Sequence, residues 1–300
     1  MIALLFPGQG AQSVGMGRAL AAEIPAAREA FEEANDALGY DIAGIIFEGP
    51  EQRLTATDVC QPAILAVSVA ALRAAAQAGL AADLVMGHSL GEYSALVAAG
   101  SIGYTEALHL VAERGAAMHA ADQARPGTMA ALLGVADADV EALCQEAGDA
   151  WPANFNCAGQ VVASGSVEGI GRLLELAAQR GIRASRLDVG GAFHSPLMQP
   201  AAARLRPALD AWTPVEPAPA FLSTTTVAIE PASRLRQVLL DQLVAPVRFG
   251  AAVQAALDMG ATRFVELGPG RVLSGLVRRV SRDAQLSQVG SPSDLEAVAV

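Results

Sequence analysis

Ser89 stands in Gly-His-Ser-Leu-Gly, residues 87–91, directly after the short apolar run 84–86. A strand that turns through Gly-x-Ser-x-Gly into a helix lifts the serine Oγ above the sheet. The glycines are needed where neighbouring backbone leaves no room for a Cβ. A helix starting at Leu90 would direct its free amides and dipole toward any oxyanion formed nearby. Ser89 is therefore a candidate nucleophile, the plainer alternative being a solvated serine in a glycine turn. A serine nucleophile needs a base, and the chain offers four histidines. His109 shares a helix face with Thr105, Glu106 and Glu113, and His119 falls at a helix end near Asp122. His88 adjoins the serine, but the alternating geometry of the turn should point it away from Oγ. His194, in Gly-Gly-Ala-Phe-His-Ser-Pro, is the best candidate base by elimination, the plainer alternative being a structural histidine.

Arg114 is the third chemical feature. On a helix its neighbours are Ala107, Leu110, Val111, Ala117 and Met118, all apolar, and Gly115 beside it permits close approach. A guanidinium inside an apolar stripe is costly unless its charge is paired. It snorkels, finds an internal carboxylate, or meets a carboxylate that arrives with the substrate and is held by its planar fork. The fourth feature is Phe-Pro-Gly-Gln-Gly-Ala-Gln, residues 6–12, which places backbone N–H groups at the carboxyl edge of a sheet. It reads as an oxyanion donor and, more weakly, as a phosphate cradle, since no Gly-x-Gly-x-x-Gly follows.

These residues need a scaffold. Ile2–Phe6, 84–86, Ala220–Ser223 and Arg263–Leu267 read as buried parallel strands with helical segments between them. Pro62 is expected at the first position of one helix, and Ser195-Pro196 as an N-cap pair opening another. The pattern is α/β, with helices on both faces of the sheet. The middle of the chain departs from it: strand 128–135, helix 137–147, strands 151–157 and 160–165, helix 167–180, strand 182–189. That β-α-β-β-α-β order is ferredoxin-like. The expected division is a large subdomain of residues 1–122 and 192–300 with a small subdomain of residues 123–191 inserted. Residues 213–219 read as a loose linker and the last ten residues as a fraying tail.

Bulk properties limit the function. A chain of 300 residues, 52% hydrophobic and 17% charged, folds around a large core. The apolar stretch 62–72 ends at Arg73 and is too short to cross a bilayer. Residues 1–10 lack a basic leader region and read as a first strand. A net charge of −11 argues against nucleic acid as partner. All 20 basic residues are arginine, which excludes Schiff-base lysine chemistry and a lysine-dependent phosphate loop. Three well-separated cysteines suit free buried thiols in a reducing cytoplasm, and the histidine spacing suggests no metal site.

Taken together, the sequence resembles the malonyl-CoA:acyl carrier protein transacylases of fatty acid synthesis and, more broadly, the acyltransferase domains of polyketide synthases. The motifs that carry the resemblance run nearly end to end: FPGQGAQ, CQPAI, GHSLGEYSAL, the RG of ERGAAM, NCAGQVV, GAFHSPLM, DQLVAPV and VELGPGRVLSGL. The resemblance implies an α/β-hydrolase-like core with a ferredoxin-like insert. It implies Ser89 as nucleophile, His194 as base, and the Gln242 backbone carbonyl as the group that orients His194. It implies the Gln9 and Leu90 amides as oxyanion hole, Arg114 as receptor for the malonyl carboxylate, and Gln61 as a pocket-side residue. Phe193 and Leu90 resemble the malonyl-selecting pattern. Thr224 and Cys157 depart from the asparagine and serine usual in the family. The reaction so implied is ping-pong transfer through a malonyl-Ser89 ester, with CoA thioester as substrate and no cofactor. The enzyme is expected to be a cytoplasmic monomer that docks a carrier protein, through Arg271, Arg278, Arg279 and Arg282 if that helix face is not simply solvated. A discrete polyketide-type malonyl acyltransferase is the alternative, a serine thioesterase or a non-catalytic scaffold more distant ones.

Overall fold

The computed structural model describes residues 1–299. Ten strands form two main sheets: β1 (Ile2–Phe6), β2 (Leu84–Gly87), β3 (Gly127–Leu133), β4 (Ala150–Cys157), β5 (Gln160–Ser166), β6 (Arg183–Arg186), β7 (Ala220–Ser223), β8 (Ala228–Ile229), β9 (Arg263–Leu267) and β10 (Gln285–Val289). The larger sheet has the order β10-β9-β1-β2-β7-β8 and is parallel except for the short β7–β8 pair. Its central strands are apolar on both faces because both are covered. Leu4, Phe6, Val85, Phe221 and Val265 enter one core, while Ala3, Leu5, Met86, Leu222 and Phe264 enter the other. This is the two-residue alternation of a strand read from both sides. The α/β class with a parallel sheet and a second, ferredoxin-like sheet is what the molecule has.

That second sheet has the order β4-β5-β3-β6, wholly antiparallel, and lies within residues 127–186. Helices Asp137–Ala147 and Val167–Gln179 bury their apolar stripes on it and form a separate core. Phe155 N–H donates to Val247 O and Val247 N–H to Ala153 O, both at 2.8 Å, stitching β4 to the larger unit.

Three expectations need correction. Pro62 does not open its helix but lies inside helix Thr57–Gln77. Thr57, Val59, Cys60 and Gln61 are buried along with the rest, so tertiary packing carries the helix back past a residue that costs about 3 kcal/mol in an isolated one. This 21-residue helix is long and apolar enough to cross a membrane by composition, but its side chains are buried among its neighbours. The chain end does not fray through 297: Pro292–Ala297 is a 3-10 helix with a Ser291–Asp294 capping box, and Arg263 donates to Ala297 O at 2.7 Å. Nor is 213–219 loose, since Val215 and Ala218 donate to Ser101 O and Ala99 O at 3.1 and 2.9 Å. Strand β10 escaped the sequence reading because QLSQV is a polar edge segment without the apolar run of its neighbours.

Candidate active site

Strand β2 ends at Gly87, and helix Gly91–Ala98 begins after Leu90, its N-cap. Between them Ser89 has φ 54°, a left-handed conformation that a non-glycine residue adopts only when its surroundings impose it. The crossing is tight. A Cβ on Gly91 would lie 2.0 Å from Phe6 O, and one on Gly87 would lie 2.0 Å from the Gly91 carbonyl carbon. The glycines let the helix sit against β1, and the turn between them projects Oγ outward.

Ser89 Oγ is 2.8 Å from His194 Nε2, and His194 Nδ1 donates to Gln242 O at 2.7 Å. That donation fixes the tautomer, leaving Nε2 free to take the serine proton without an acidic third member. His194 is itself held at φ 57°, just before the Ser195 cap whose side chain accepts from Leu197 N–H. Burial, then the nearby Arg114 charge, pull the His194 pKa from 6.5 down to about 3. The imidazole is therefore neutral at working pH, as a base must be.

Arg114 lies in helix Tyr104–Ala124 and is 1% exposed. One guanidinium nitrogen donates to Gln61 Oε1 at 2.6 Å; the other donates to Gln242 Oε1 at 2.9 Å and to Ser89 Oγ at 3.0 Å. No ion pair among the described residues involves it, and its Nε has no partner. Burial lowers its pKa. Of the three readings open in the sequence, snorkelling is excluded by the burial, and no carboxylate among the described residues meets the guanidinium. The helix comes this close to its neighbour through Gly115, where a Cβ would lie 2.7 Å from Thr57 O.

Gln9, Leu90, Ser89, Arg114, Phe193 and His194 all line one cleft of about 100 Å³, walled by Met118, Met129, Leu187 and Val189. Neither the Gln9 nor the Leu90 amide donates to another group among the described residues, so both are open to an oxyanion. A groove of about 240 Å³ shares Gln9, His88, Asn154 and Leu187 with the cleft and is lined further by Gly8, Asn156, Gln160 and Leu276. Gln61 stands behind Arg114 and touches it without lining the cleft. His88 turns away from Oγ and meets Asn156 Oδ1 at 3.0 Å. His109 and His119 are remote and exposed, His109 meeting Ala37 O at 2.8 Å.

Two buried groups hydrogen-bonded into the site escaped the sequence reading. The Gln242 side chain, and not only its backbone, belongs to the site, and its amide donates to Ser89 O and to Glu92 Oε2. Glu92 is a fully buried carboxylate. Its signal was present: a single acid in the first turn of the otherwise apolar EYSALVA segment.

Comparison with known proteins follows the same lines. Residues 3–291 match the family model described as acyl transferase domain. The chain is 41% identical to a malonyl CoA-acyl carrier protein transacylase of Bacillus subtilis (strain 168), covering 98% of this chain and 95% of that one. The homologue so named in Escherichia coli (strain K12) is 39% identical over 98% and 97%. An acyl-carrier-protein S-malonyltransferase structure from Bartonella henselae superposes with a TM-score of 0.95 at 40% identity, covering 99% and 97% of the two chains. A malonyl-transacylase solved in complex with its type II polyketide synthase acyl-carrier protein superposes with a TM-score of 0.96 at 37% identity, covering 99% and 98%.

Proposed function

The chain belongs to the acyl transferase domain family, and from that premise we propose that it transfers the malonyl group of malonyl-CoA to the phosphopantetheine thiol of an acyl carrier protein through a malonyl-Ser89 ester. One observation carries the reading: a buried guanidinium that no carboxylate among the described residues meets, 3.0 Å from the nucleophile. A thioesterase working on neutral acyl groups has no use for that charge.

In the first half-reaction His194 Nε2 takes the Ser89 proton as Oγ bonds to the thioester carbonyl carbon. The oxyanion accepts from the Gln9 and Leu90 amides, each such donor lowering the barrier by roughly 3 kcal/mol. His194 returns the proton to the CoA sulfur as the C–S bond breaks. In the second half-reaction the carrier thiol gives its proton to His194 and its sulfur attacks the ester carbonyl. Oγ then departs and recovers the proton. The malonyl carboxylate sits on the Arg114 fork, which also cancels one of the three influences holding His194 low. No cofactor enters either step.

The enzyme works as a cytoplasmic monomer, a setting that suits its three free, buried cysteines. The groove leading to Leu276 offers the pantetheine arm a route, and its mouth lies beside helix Val272–Val280, where Arg279 donates to Gln160 Oε1 at 2.9 Å. The test is intact mass after malonyl-CoA and then a phosphopantetheinylated carrier, run with fatty acid and polyketide carriers in parallel. A malonyl adduct that Ser89→Ala abolishes and that passes to a carrier establishes the reaction. An adduct that decays equally fast without carrier makes the protein a thioesterase.

A further inference from the structure

Glu92 is 0% exposed, three residues beyond the nucleophile, and touches neither Ser89 Oγ nor the cleft. Its Oε1 accepts from Thr224 N–H at 2.6 Å and from the Ser223 hydroxyl at 3.0 Å, with the Thr224 hydroxyl also 3.0 Å away. Its Oε2 accepts from Gln242 Nε2 at 2.5 Å. Every neighbour that fixes the carboxylate is a donor, and its helix presents it at the N-terminal turn, where a negative charge is favoured. Burial raises the Glu92 pKa, and the hydrogen bonds from Thr224, Gln242 and Ser223 oppose that rise; a carboxylate met by donors on both oxygens fits the ionised form.

The consequence passes through Gln242. A side-chain amide has one accepting and one donating end, and which end points where is set by its partners. Glu92 and the Ser89 carbonyl are both acceptors and both hold Nε2, the latter at 2.9 Å. Oε1 is therefore left to face Arg114. The guanidinium gains a neutral acceptor that keeps its fork beside Ser89, while the Glu92 charge stays one amide away. A carboxylate in direct contact with Arg114 would occupy the fork and neutralise it before substrate arrived.

We propose that Glu92 is a positioning residue for acyl-group selection, acting through the Gln242 amide to hold Arg114 aimed at Ser89 with its charge uncommitted. This rests on the reading of Arg114 as receptor for the malonyl carboxylate. Thr224, which departs from the family's usual asparagine, belongs to the same anchor through its backbone amide.

The experiment compares kcat/KM for Ser89 acylation by malonyl-CoA and by acetyl-CoA, with thermal unfolding measured on every variant. In Glu92→Gln the amide oxygen stays on Thr224 and Ser223, so its NH2 faces the NH2 of Gln242. Relief requires Gln242 to flip and present a donor to Arg114. The malonyl-to-acetyl ratio is expected to fall roughly tenfold to a hundredfold, the cost of one hydrogen bond to a charged group. Adding Gln242→Glu lets the new carboxylate accept both from the amide introduced at position 92 and from Arg114. Stability should recover in part in this double variant, since the Ser89 carbonyl still lacks its donor, while malonyl preference does not recover, because Arg114 now carries its own counter-ion. A folded Glu92→Gln with the wild-type ratio overturns the proposal, as does a double variant in which preference returns with stability. If neither folds, Ser223→Ala, which removes one donor and keeps the charge, must lower the ratio, and an unchanged ratio overturns the proposal. Wild type that does not discriminate malonyl from acetyl would instead defeat the underlying reading of Arg114.

Discussion

Arg114 and His194 share one small site in which the Arg114 charge, after burial, helps to keep His194 neutral. Arg114→Lys keeps the charge but replaces a fork by a point donor, which cannot hold Gln61, Gln242 and a carboxylate together. We expect it to lower kcat/KM for malonyl-CoA by the equivalent of roughly 2–5 kcal/mol and to affect acetyl-CoA less, read from steady-state kinetics with both thioesters. The depressed His194 pKa also has a thermodynamic consequence. Unfolded, the imidazole binds a proton below about 6.5; folded, it does so only near 3. Between those values the unfolded state carries more protons, so the contribution present above pH 6.5 is lost as pH falls toward 3. Buried His88 is shifted the same way by desolvation. Urea midpoints should therefore drop from pH 7 to pH 5, and by less in His194→Gln than in wild type.

Among the elements, the crossing of β1, β2 and helix Gly91–Ala98 matters most, because it sets where Oγ and the Leu90 amide stand. Gly91→Ala drives a Cβ into Phe6 O and must push the helix off the strand. We expect a loss of about 1–3 kcal/mol in stability and a larger loss of acylation. Denaturation curves beside intact mass after malonyl-CoA would read both. A variant that is destabilised yet loads normally would show that the tight crossing serves packing alone. Helix Tyr104–Ala124 plays the corresponding part for Arg114, brought against helix Thr57–Gln77 at Gly115 so that Gln61 and Arg114 meet.

For the whole molecule, the proposed function asks a chain of net charge −11 to receive a carrier protein, and for an acidic carrier the local positive charge decides where docking can occur. Arg278 and Arg282 lie exposed on and just beyond helix Val272–Val280, tied by a 2.7 Å bond from Arg278 to Arg282 O, and Val272 beside the groove is 54% exposed. Reversing both charges, Arg278→Glu with Arg282→Glu, should raise the KM for carrier protein and leave that for malonyl-CoA unchanged. An unchanged carrier KM places docking elsewhere. The same scale explains why the site lies between two units: β4 of the small sheet is stitched to Val247, so Asn154 and Asn156 reach the groove from across the junction.

Much of this protein was legible in its sequence, for local reasons. Gly-His-Ser-Leu-Gly after an apolar run dictates a strained elbow because only glycine tolerates the crossing. A continuous apolar run in Ile2–Phe6 and a β-α-β-β-α-β stretch dictate two kinds of sheet. Arg114 advertised itself as a charge on an apolar helix face. Tertiary structure decided what depends on residues distant in the chain. It placed Pro62 inside a helix, because burial along the whole face outweighed the lost hydrogen bond, and it pinned 213–219 and the chain end. It also drew Glu92, Thr224 and Gln242 into one chain of hydrogen bonds, with the ends of the Gln242 amide assigned by partners about 150 residues away in the sequence. Periodicity reports which face of an element is buried, but the partner of a buried polar group is fixed only when the elements pack.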